Sequence, residues 1–166
     1  MNGERFRLAD QALRSDQFMR TIGSSVAGPA MVLSAFASEL YLKCLFVLET
    51  SRDPPEIHDL RKLFLLLSQA ARDELEAAWN LYAAQPNRVR VYEAIERLTG
   101  SVVPRDLRWS LRNGSDAFTS LRYLHEERNQ NTKFFLGDFP AMVRGIVLRR
   151  RPQWSSMVHT PPKPIP

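Results

Sequence analysis

In the stretch SAFASELYLKCLFVLE, residues 34–49, Glu39 and Lys43 stand four residues apart inside a run that is otherwise apolar or small. Glu before Lys at this spacing is the favoured order for an ion pair on a helix, yet an exposed pair contributes only about 0.2–0.5 kcal/mol. A helix this apolar is covered on most sides, and a buried charge lacking further hydrogen bonds is strongly destabilising. Another polar side chain must therefore reach the pair. The candidates are His58, in EIHDL at the start of the next helix, and Arg122 or Tyr123, in LRYLHEE. Together Glu39, Lys43, His58, Arg122 and Tyr123 would form a polar centre of the groups that bind anions and move protons. His58 also has a simpler reading as a helix-entry residue bonding free amides, with Asp59 favourable at the helix's positive end.

Over residues 104–128, Leu107, Leu111, Gly114, Phe118, Leu121 and His125 recur at steps of three and four and define one seam that should face the core. Arg108, Arg112 and Arg122 fall on a neighbouring stripe within an arc of about 80°. Pointed together they suit a polyanion such as RNA. Set against carboxylates of adjacent helices, they are exposed ion pairs worth at most about 1 kcal/mol each. His125, three residues from Arg122, is a catalytic candidate by proximity and a core histidine by its place on the seam. Gly114 marks either a close helix crossing or a break at RNGSD.

Other chemistries find little support. His58, His125 and His159 are scattered, and no Cys pair, HExxH or clustered carboxylates exist, so no metal and no cofactor are expected. Gly23 to Gly28 has the outer spacing of a phosphate loop but lacks the Lys and Ser/Thr that should follow. Cys44, the single cysteine, sits in the apolar run and reads as core packing in a reducing compartment. Trp79, Trp109 and Trp154 are too isolated to form a stacking platform for bases.

These residues need elements to position them, and the spacing is helical throughout. Helices are expected near 4–20, 29–50, 59–84, 87–99, 104–128 and 138–150, with no strand and no repeat. Pro29 and Pro104 suit first-turn positions, and Asp138 can cap the last helix. The expectation is an all-α protein: one helical domain over 1–151 and an extended, Pro-rich tail over 152–166. The 166 residues, 44% hydrophobic and 25% charged, suit one domain with a genuine core. From Ala30 to Leu48 only Glu39 and Lys43 are charged, but each would cost about 2.5–3.5 kcal/mol at a bilayer centre, so a membrane span is not expected. The charged N-terminus does not read as a signal peptide, and the chain is expected to be cytoplasmic. The net charge is +5, and the basic excess lies late: residues 88–151 hold 13 Lys or Arg against 7 Asp or Glu. Such asymmetry is compatible with RNA or an acidic protein, and equally with Arg-rich solvated faces.

The order ELYLK, a short Pro-containing turn, IHDLRKLF, and a distant RY on a late helix resembles the HEPN superfamily of small α-helical domains. The residues that carry the resemblance are Glu39, Leu40, Lys43, His58, Leu60, Leu63, Arg122 and Tyr123. It implies an antiparallel bundle of five to six helices, usually a homodimer. Its members include metal-independent ribonucleases in toxin–antitoxin and defence systems, and non-catalytic relatives that bind nucleotides or protect a partner. The implied partners are RNA or a nucleotide, and a cognate antitoxin or nucleotidyltransferase-like protein. In the nucleases an Arg followed four to six residues later by a His activates the scissile phosphate, the His taking the ribose 2′-OH proton and the Arg steadying the developing charge. Here Arg122 and His125 are separated by only two residues. The family spacing is met by Arg52 and His58, but in a segment whose two prolines forbid a helix. A non-catalytic module, whose polar cluster only fixes helix packing, is the alternative reading.

Overall fold

The structure, a computed structural model, describes residues 2–13, 27–115 and 137–159. Seven α-helices lie among them: α1 (Asn2–Leu13), α2 (Ala27–Thr50), α3 (Leu60–Leu65), α4 (Gln69–Ala83), α5 (Pro86–Thr99), α6 (Leu107–Asn113) and α7 (Phe139–Arg150), followed by a 3₁₀ helix (Pro152–His159). No described residue lies in a strand.

α2 is the axis. Its 24 residues span about 36 Å at 1.5 Å per residue, and α1, α3 and α7 all pack on it. A helix that is apolar nearly all round has no solvent face to offer and ends up covered. Small buried residues, Ser34, Ala35, Ala37 and Ser38, let neighbours approach closely. The two hydroxyls are satisfied, Ser34 by Gly137 O at 3.2 Å and Ser38 by Ser34 O at 2.8 Å. Leu42 and Leu45 share one core with Leu63 and Phe64 of α3, Leu75 and Trp79 of α4, Leu107 and Leu111 of α6, and Phe139, Val143 and Ile146 of α7. Trp79, fully buried, meets the Phe139 ring edge-on and donates its indole N–H to Arg105 O at 2.8 Å, tying the entry of α6 to α4. Among the described residues no helix is long and apolar enough to cross a membrane.

Several boundaries differ from the periodicity reading. The helix expected over 59–84 is two helices, because Ser68 caps α4 by accepting from Ala71 N at 3.2 Å and Leu66 turns the chain. Arg72 closes the break by donating to Leu65 O and Leu67 O at 2.8 and 3.0 Å. The element expected over 104–128 starts later, at Leu107, because Asp106 takes the capping role by accepting from Trp109 N at 2.7 Å; Pro104 stays in the preceding loop. Gly114 follows the last helical residue of α6, so the break at RNGSD is the observed alternative there. Phe118, Leu121 and His125 lie outside the described residues. Residues 152–159 wind into 3₁₀ turns rather than extending, since Pro152 stands at their start, where its fixed φ fits a helical turn. Residues 160–166 lie outside the described residues. Asp138 caps α7 through its main-chain oxygen, because its carboxylate is drawn to Arg88 of α5.

Candidate functional site

The chain reverses directly after α2. Ser51 adopts a left-handed φ of 54° and its N–H returns to Val47 O at 2.8 Å, while Thr50 Oγ1 accepts from Arg52 N at 3.2 Å. Residues 51–59 then run back without helix. Glu39 lies about 16 Å along α2 from Thr50, within reach of an eight-residue non-helical segment that can extend to about 26 Å. Asp59 stops the return by accepting from Lys62 N at 2.9 Å as the cap of α3. The residue just before this cap is His58, and it arrives at Glu39.

The Glu39 carboxylate is almost sealed, at 1% exposure. Its Oε1 takes the Lys43 ammonium at 2.8 Å and His58 Nδ1 at 3.0 Å, and its Oε2 stands 3.1 Å from the same ring nitrogen. The Lys43 side chain is 16% exposed and the imidazole 62%. The cluster is thus sealed at its carboxylate and largely exposed at its imidazole. An ionised carboxylate only accepts, so across this contact the donor is Nδ1–H of the ring. Asp59, not His58, performs the capping, so the two roles read for this corner fall to adjacent residues.

Glu39, Lys43 and His58 are brought together; Arg122, Tyr123 and His125 lie outside the described residues. Arg108 does not stand free for a polyanion: its Nε donates to Glu76 of α4 at 2.7 Å, a bond that raises its pKa. Arg112 is exposed and makes no side-chain hydrogen bond among the described residues. The late arginines follow the pattern of Arg108. Arg149 and Arg150 reach Glu74 at 2.6 and 3.5 Å, and Arg150 also takes Glu49 at 2.9 Å. Glu49 is further held by the N–H and hydroxyl of Ser68 at 3.0 and 2.7 Å. Burial alone would raise its pKa, but these donors lower it. Much of the basic surplus is therefore spent on carboxylates of neighbouring helices.

A second polar node escaped the sequence reading. Glu4 of α1, nearly buried, takes Arg7 at 2.6 Å, Arg144 of α7 at 2.5 Å, and the Tyr41 hydroxyl of α2. Burial pushes its carboxyl up, but the hydrogen bonds from Arg7, Tyr41 and Arg144 and the charge of Arg7 outweigh burial and hold it at about 2. Tyr41 is driven above the usual phenol range, first by burial and then by Glu4. The i, i+3 spacing of Glu4 and Arg7 is a visible signal, but the partners at positions 41 and 144 are tertiary. The half-buried Cys44 packs against the core, with its thiol pushed up by burial. Among the described residues no group of three or more His, Cys, Asp or Glu is arranged to hold a metal ion.

No protein-family model, curated protein or solved structure matches the chain.

Proposed function

We propose that this chain is a HEPN-like helical domain that acts on or binds RNA or a nucleotide in a toxin, stress or defence setting, working as a homodimer. The observation that supports the reading is the meeting of Glu39, Lys43 and His58 at one point, with the imidazole open to solvent, although His58 lies 19 residues from Glu39. In this reading Arg122 supplies the phosphate-binding cation, Tyr123 belongs to the polar centre with Glu39 and Lys43, and Arg112 contacts the RNA, while Arg108 is taken by Glu76. The test is incubation with total RNA and with labelled mononucleotides in the presence of a chelator, comparing wild type with His58→Ala and Arg122→Ala. Binding or cleavage that weakens in both variants is expected; a wild type inert toward all RNA and nucleotides at moderate salt removes the reading.

The near-complete burial of Glu39 favours one competitor, a non-catalytic module in which the cluster sets helix packing. Replacing a buried ion pair by apolar residues of similar size is often neutral or stabilising. Glu39→Leu with Lys43→Met therefore separates the two. Kept fold with lost RNA or nucleotide binding supports the site, and altered oligomeric state with no binding to lose supports architecture.

A further inference from the structure

We infer that the outward ridge of α3, formed by Arg61, Lys62, Leu65 and Leu66, is a docking surface for a short acidic amphipathic helix of another protein. The inference stands apart from the RNA-directed reading and uses none of the chemistry of His58.

α3 turns its two faces to different surroundings. Leu60, Leu63 and Phe64, with Leu67 just beyond, are buried in the core. Arg61, Lys62, Leu65 and Leu66 are exposed, the two leucines at 47% each. At about 100° per residue these four lie within an arc of about 140°, with Leu65 one turn beyond Arg61 and Leu66 one turn beyond Lys62. Among the described residues Leu65 and Leu66 are the only exposed large apolar side chains adjacent in sequence. Polar residues in their place would leave the buried face of the helix as it is. Neither Arg61 nor Lys62 enters an ion pair among the described residues, whereas Arg108, Arg149 and Arg150 are taken by carboxylates of neighbouring helices. The ridge is also fixed at both ends. Asp59 caps its start by accepting from Lys62 N, and Arg72 ties down Leu65 O and Leu67 O at its end. Little ordering of the backbone is then left to oppose binding.

The composition of the ridge selects its occupant. Two leucines match apolar side chains, and the two cations beside them match carboxylates one turn away, about 6 Å along a helix. Nucleic acid is a poorer match. Leucines give bases no ring to stack on, and Asp53 and Glu56, exposed in the segment leading to α3, oppose a uniform polyanion. An anionic bilayer is recognised by clusters of about four to eight basic residues, and this ridge has two. A second copy of the chain in a stable pair needs about 20–30 residues on each side; four side chains in one turn and a half supply a contact for a peptide.

The probe is a synthetic helical peptide of about 16 residues carrying two Leu and, one turn away on the same face, two Glu; a second peptide carries Lys in place of Glu. Fluorescence anisotropy with the full chain should show saturable binding of the acidic peptide, weakened by added salt, and ¹H–¹⁵N spectra should confine the shifts to residues 58–67. Arg61→Glu with Lys62→Glu should lose at least about tenfold in affinity for the acidic peptide and take up the Lys peptide instead. Leu65→Ser with Leu66→Ser should weaken the acidic peptide by at least about tenfold, with an unchanged circular dichroism spectrum. The reversal of preference requires a folded protein, so loss of fold cannot pass for support. An acidic peptide that wild type ignores, shifts that map away from α3, or a charge-reversed chain with unchanged preference overturns the inference. So do poly(U) or phosphatidylserine vesicles that bind this ridge more tightly than the peptide does, and self-association in sedimentation that Leu65→Ser with Leu66→Ser removes.

Discussion

Glu4 offers the most quantitative prediction. Its carboxyl is held at about 2 against an ordinary 4.5, a difference worth roughly 3 kcal/mol at about 1.4 kcal/mol per unit. Arg7 and Arg144 are 18% and 26% exposed, and water screening makes roughly 2 kcal/mol the better expectation. Because the folded-state value is depressed, this contribution is complete above about pH 4.5 and is lost as the pH falls toward 2. Glu4→Gln keeps the size and one acceptor but removes the charge on which α1, α2 and α7 converge. Urea unfolding at pH 7, followed by circular dichroism, should show the variant about 2 kcal/mol less stable. Hydrogen exchange should show the α1 amides loosened first, since both Glu4 and Arg7 belong to that helix. At pH 2 the two proteins should differ by well under 1 kcal/mol, because the Glu4 carboxyl is by then about half protonated in the folded protein and almost fully protonated in the unfolded one. A Glu4→Gln protein equal to wild type at pH 7, or a gap that persists unchanged at pH 2, would refute the claim that this carboxylate anchors the first helix.

Two further substitutions test local causes. Asp59→Ala removes the cap of a six-residue helix and should cost about 1 kcal/mol in urea unfolding; it should also loosen His58, seen as broadening of its ring resonances. Gly100 ends α5 at φ 64° with open space where a Cβ would stand, so Gly100→Ala should cost about 1 kcal/mol through backbone conformation alone. Gly100→Asn should recover part of it in the same thermal or urea assay, because Asn tolerates the left-handed region.

The sequence was informative where the signal was local. Helical spacing announces α2, and a charged pair in an apolar run shows that a polar partner must arrive; His58 was one of three candidates, and it is the one the described residues bring to Glu39. It failed where neighbours decide. The leucines of LRKLFLLLSQ continue the apolar run across residues 65–67, yet Leu65 and Leu66 are exposed, and the break there is closed by Arg72 from a turn further on. Asp138 looked like a side-chain cap until Arg88, fifty residues earlier, claimed its carboxylate. For the arginines of the second half the spacing left a polyanion surface and ion pairs with adjacent helices both open, because the partners Glu49, Glu74 and Glu76 lie in the acidic first half. Fold class follows from periodicity, but which cation is spent and which stays available depends on contacts between distant segments.

Carboxylates fasten α2 at three points: Glu39 to the return segment, Glu4 of the first helix to Tyr41, and Glu49 to Ser68 and Arg150. At about 100° per residue these attachments lie roughly 0°, 200° and 280° around the helix. A slip of one residue would break all three at once, while losing any one leaves the other two to hold the rod's azimuth. The arrangement resembles a tripod: alignment of the scaffold does not hang on one corner alone.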